Sequence, residues 1–95
     1  METFFMFGKY SSESMKQISR ERTREVLEIV AQHDGDIKDM YALLGAYDLI
    51  LIAQFPDMKR ALKASVDITR ATGITFSTLP AIPVAEFDEL VGRKG

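Results

Sequence analysis

The chain has 95 residues, and its 46% apolar and 27% charged side chains are the balance of an ordinary soluble globular protein. That length predicts one domain over residues 1–95, with so small a core that a homodimer or a higher homo-oligomer is expected. A net charge of −2 leaves no footprint for nucleic acid, and the lack of cysteine excludes disulfides and thiolate chemistry.

The N-terminus, Met1-Glu2-Thr3-Phe4-Phe5-Met6-Phe7, is too short and wrongly flanked for a signal peptide. No apolar run reaches membrane-spanning length, so the expectation is a cytoplasmic protein with no membrane partner. Phe4 to Lys9 is rich in aromatics and predicts a first strand. Ser11 suits a helix N-cap, because its hydroxyl can accept an orphan backbone N–H. One helix is predicted from about Ser12 to His33, with Met15, Ile18, Val26, Ile29 and Val30 as its apolar stripe. Arg22 lies within that stripe. Gly35 is expected to end the helix as a left-handed cap.

Ile37–Leu44 and Tyr47–Phe55 are the next two strands. Gly45-Ala46 suits a two-residue type II′ turn, with Gly at the first central position. This sets the register: Leu43 opposite Asp48 and Tyr41 opposite Ile50. One face of the hairpin then carries Met40, Ala42, Leu44, Tyr47, Leu49, Leu51 and Ala53. The other carries Ile37, Asp39, Tyr41, Leu43, Asp48, Ile50, Ile52 and Gln54. Both are too apolar to face water, so helices are expected on one and a second subunit on the other. The first set has no charge near its centre. Met40, Leu44, Tyr47, Leu49 and Leu51 are therefore the predicted dimer interface, although a one-residue slip would exchange the faces.

Asp57 is the predicted N-cap of a second helix reaching about Thr72, with Met58, Ala61, Leu62, Ser65, Val66 and Thr69 inward. Gly73 ends it. Ile74–Leu79 is a fourth strand. After Pro80 and Pro83, Val84–Val91 predicts a short last helix with Phe87, Leu90 and Val91 inward. The order βαββαβ is that of a ferredoxin-like α+β fold: a four-stranded antiparallel sheet with two helices on one face.

These residues resemble the GYD domain family, through Gly45-Ala46-Tyr47-Asp48 together with Ser11, Arg22, Gly35, Tyr41, Pro56-Asp57, Gly73 and Ala81. The resemblance runs from Phe4 to about Leu90. It implies a dimeric α+β barrel, in which two ferredoxin-like subunits pack sheet against sheet. The wider group implied includes cofactor-independent oxygenases, haem enzymes, isomerases and binding proteins. Relatives often carry an acid where this chain has Gln54, so a role for a second carboxylate there is not carried over.

Three residues are candidates for a ligand site between helices and sheet. Arg22, on an apolar stripe, is either paired inside or snorkels outwards. Asp48 opens an apolar strand; it either accepts local hydrogen bonds or serves as an anion held by Arg22. Tyr41 shares the Asp48 face and is either a core tyrosine or a pocket group. Arg22 and Asp48 are expected to interact, directly or through water. His33, the one histidine, suits the end of a helix better than a metal site. Met6, Met15, Met40 and Met58 suit core positions, and Asp34-Gly35-Asp36 lacks the ligand count of a calcium loop. No metal or cofactor is expected. The functional classes left open are a small-molecule binding or sensing homodimer, a cofactor-independent oxygenase or isomerase in the same pocket, and a structural or interaction module.

Overall fold

The computed structural model describes residues 1–93. Its elements are β1 (Glu2–Lys9), α1 (Ser12–Lys16), α2 (Arg20–Gln32), β2 (Asp36–Ala42), β3 (Leu49–Phe55), α3 (Met58–Thr72), β4 (Thr75–Ala81) and α4 (Val84–Val91). The strands form one antiparallel sheet in the order β2-β3-β1-β4. This is the ferredoxin-like arrangement, with helices packed on the sheet.

The core lies between one sheet face and helices α2 and α3. Phe4 and Met6 of β1, Leu51, Ala53 and Phe55 of β3, and Ala61, Ala64 and Ile68 of α3 are fully buried there. Phe4 and Phe55 meet edge to face, with centroids 6.0 Å apart. Val26, Ile29 and Val30 close the core from α2.

The predicted long first helix is two helices. Ser19 caps afresh: its hydroxyl accepts the Arg22 backbone N–H at 3.1 Å, and α2 starts there. Met15 and Ile18, on the expected stripe, are consequently exposed. Ser11 does cap α1, in a reciprocal pair with Ser14: the Ser14 N–H donates to Ser11 Oγ and the Ser11 N–H donates to Ser14 Oγ. Gly35 is not the left-handed residue. Asp34 has φ +60°, the Gly35 N–H donates to Val30 O, and the Asp34 N–H donates to Ala31 O. This is a Schellman cap with aspartate in the αL position. Gly35 is required for space instead, since a Cβ there would lie 2.5 Å from the Phe55 ring. Gly73, at φ +79°, does end α3 as expected.

The hairpin register is as predicted, with Tyr41 opposite Ile50 and the Leu43 N–H donating to Asp48 O. Gly45 has φ +151°, so the loop is wider than a type II′ turn. The faces, however, are exchanged. Met40, Leu49, Leu51 and Ala53 lie under the helices, with Leu49 9% and Leu51 0% exposed. Leu49 and Leu51 are core residues, and Met40 packs against them, so none of the three presents a surface to a partner. Leu44 projects from the loop tip, fully exposed. Tyr47 alone of the predicted interface set reaches the open face, its ring 5.1 Å from that of Phe7.

The open face carries two apolar rows set by the ladder. Tyr41, Ile50 and Phe7 form one, and Ile52, Phe5 and Leu79 the other. Its next row is polar: Asp36, Gln54 and Thr3.

Candidate functional site

The Gly45–Asp48 loop is tied to the start of the chain. The Asp48 N–H donates to Gly8 O at 2.9 Å. The Asp48 carboxylate accepts the Tyr10 backbone N–H at 2.8 Å through Oδ2. Lys9 Nζ donates to Ala46 O at 3.3 Å. These bonds fix the exit of β1 into the α1 cap, where Ser14 is buried. A carboxylate accepting a backbone N–H makes a charge-assisted bond, which accounts for an acid at the head of an apolar strand.

Arg22 does not reach Asp48. The Arg22 guanidinium donates through Nη1 to Ser14 O and lies 5.0 Å from the centre of the Tyr10 ring. Tyr10 therefore sits between the two charges, its ring under one and its backbone N–H on the other. Among the described residues the charged contacts are Lys38–Asp36 and Arg60–Asp34, beside the His33–Asp67 hydrogen bond, so Arg22 and Asp48 make no direct pair. Tyr41 lies on the open face of the edge strand β2, 56% exposed. The three candidate ligand residues thus do not line one pocket. Local hydrogen bonding dominates at Asp48, and strand alternation sends Tyr41 away from the helices.

A different groove lies at the helix–sheet seam. Its volume is about 510 Å³, between α3 and β4. Leu62, Val66 and Phe76 form its apolar walls, and Ser65, Thr69, Thr75, Thr78 and Arg70 its polar ones. The predicted α3 stripe is rotated: Ala61, Ala64, Ile68 and Thr72 face the core, while Leu62 and Val66 are half-exposed on the groove wall. The hydroxyls largely satisfy one another. Ser65 Oγ donates to Ala61 O at 2.9 Å, lies 2.8 Å from Thr78 Oγ1, and Thr69 Oγ1 donates to Ile74 O at 2.6 Å. Among the described residues that leaves Arg70 as the free charged donor at the groove, and no carboxylate or histidine among them lines it. On the other flank of Leu62 and Val66 a second groove contains the His33–Asp67 pair, Nε2 to Oδ2 at 2.7 Å.

The sequence reading missed this groove because it placed Leu62 and Val66 inward. The available signal was the small residues Ala61, Ala64, Ser65 and Thr72 along one side of α3, which let a helix approach a sheet closely. Among the described residues no cluster of three or more His, Asp or Glu side chains is placed to hold a metal. No helix among them is long and apolar enough to cross a membrane.

No curated protein and no solved structure matches the chain. A family model does: the GYD domain model matches residues 4–91. Its span runs from β1 to the end of α4 and takes in the Gly45–Asp48 loop with its ties to Gly8 and Tyr10, and so the chain belongs to the GYD domain family.

Proposed function

We propose that this protein is a small-molecule-binding homodimer, assembled sheet to sheet as a dimeric α+β barrel. The observation that carries the reading is the open sheet face. Phe5, Phe7, Tyr41, Ile50, Ile52 and Leu79 form contiguous apolar rows on a face that the chain's own helices leave bare. Monomers avoid patches of this kind. A second copy is the natural cover, because a two-fold axis matches the patch to itself.

The ligand reading is supported by the α3–β4 groove. Apolar walls with one free guanidinium favour a molecule with an apolar body and one anionic group. Binding is favoured over catalysis. An oxygenase or isomerase site would need a base and polar groups converging on one atom. Arg22, Tyr41 and Asp48 sit apart, and the groove has no acid–base pair.

Native mass spectrometry of protein purified from its own cell tests both parts. The expected species has twice the 10.7 kDa chain mass, with an added small molecule that Arg70→Glu removes. A bare single-chain mass would contradict the reading.

A further inference from the structure

Among the described helices, α4 alone buries no side chain. Val84, Phe87, Leu90 and Val91 share one stripe and are 73, 51, 71 and 65% exposed. Glu86, Asp88 and Glu89 occupy the rest of the helix. Pro83, at φ −57° and ψ 143°, starts α4 directly after the edge strand. The molecule measures 55 × 30 × 18 Å, and its radius of gyration is 14.7 Å. A compact chain of this length would have about 12 Å. Helix α4 is therefore an arm held off the body with its apolar side bare.

Two bare apolar helix stripes among the described residues suit such an arm: another α4, and the outer side of α3. Pairing α4 with α4 would bring together two helices that carry only acidic charge, which is unfavourable. The outer side of α3 differs. Met58, Leu62 and Val66 follow one another at four-residue spacing, 46, 51 and 48% exposed. Lys59, Lys63 and Arg70 project from the same side of the helix. None of these three cations takes part in an ion pair among the described residues. Acidic arm and basic ridge are complementary, and the apolar stripes match in length.

We propose that α4 of one subunit lies across α3 of a second subunit and roofs its α3–β4 groove. This rests on the groove as the ligand site. In a single chain the groove is open on its outer side, whereas ligand sites bury most of their ligand. The arm supplies the missing wall. Phe87 and Leu90 meet Leu62 and Val66, and the arm's carboxylates face Lys59 and Lys63, which leaves Arg70 to the ligand. The ligand site is thus completed in trans.

The absence of cysteine makes the test clean. Chains carrying Val66→Cys and chains carrying Phe87→Cys are co-expressed and mildly oxidised. Both positions are exposed, so neither substitution disturbs the core. The expected result is a mixed disulfide between two chains, read by peptide mass. It should be lost when Phe87→Cys is replaced by Glu89→Cys, on the far side of the arm. A mixed-disulfide yield equal to that of the Glu89→Cys control would overturn the proposal, as would a separate chain carrying both Val66→Cys and Phe87→Cys that forms the bond only within itself. The readout needs no ligand. A mixed disulfide in ligand-free protein upholds the arm and counts against the ligand reading alone; a bound ligand without the disulfide overturns the arm alone.

Discussion

The two faces of the sheet are built from the same kinds of residue and meet different fates. On the helix side Phe4, Met6, Leu51 and Ala53 are completely buried. On the other side Phe5, Phe7, Ile50 and Ile52 keep part of their surface in water, and Tyr41 and Leu79 keep about half. The distinction lies at the margins. On the helix side the one charged residue in the paired strand rows is Glu2, exposed at the very end of β1 opposite Phe55, and Gly8 makes room there for Phe76, Ile74 and Leu49. The open side ends in Asp36, Gln54 and Thr3 and has Asp39 beside Ile52. An intramolecular core excludes such groups, whereas a subunit interface keeps a polar rim. The comparison supports the proposal that the face with polar edges is the one a second molecule covers.

The largest expected effect is at the closed face. Phe4→Ala should cost about 3–5 kcal/mol in denaturant unfolding, because it empties a fully buried site beside Phe55. Phe5→Ala, measured at a concentration below dimer formation, should cost less. Equal losses would break the distinction between the faces. Next comes Gly35→Ala, expected to cost about 1–3 kcal/mol by forcing the buried Phe55 ring to move. No loss there would mean that the core has slack. Asp48→Ala strands the Tyr10 N–H and should cost about 1–3 kcal/mol, with Asp48→Asn recovering most of it. If Asp48→Asn is as damaging as Asp48→Ala, the carboxylate does more than accept that bond. The smallest effect belongs to Leu44→Ser at the loop tip, which should leave both the unfolding midpoint and the assembly unchanged. A shift in assembly would restore Leu44 to the interface.

Element order, the caps at Ser11, Asp57 and Gly73, and the hairpin register were legible in the sequence, because each follows from local chemistry. The break at Ser19 was legible in principle, since a serine before Arg20-Glu21-Arg22 is a second N-cap. The choice of sheet face was not settled by periodicity. Period-2 alternation divides a strand into two sets but does not say which set meets the helices. Freedom from charge marked Leu49 and Leu51 as an interface, although it is the stronger mark of a core. Arg22 and Asp48 make no direct pair for a related reason. Each charge finds a nearer partner in the backbone, Ser14 O for Arg22 and the Tyr10 N–H for Asp48. Sequence spacing does not reveal such competitors. The exposed stripe of α4 looked like core for the same reason: amphipathicity demands a cover without saying which molecule provides it.

The central claim is that the open face joins two copies, and Ile52→Lys tests it most directly. Ile52 lies between Asp39 and Phe5 in the middle of that face, and its side chain points away from the helices. Sedimentation equilibrium at micromolar concentration should give twice the 10.7 kDa chain mass for the natural chain. The Ile52→Lys chain should give the single-chain mass with an unchanged far-ultraviolet circular dichroism spectrum. A well-folded natural chain at single mass would contradict the account, and so would an Ile52→Lys chain that still sediments at twice the chain mass.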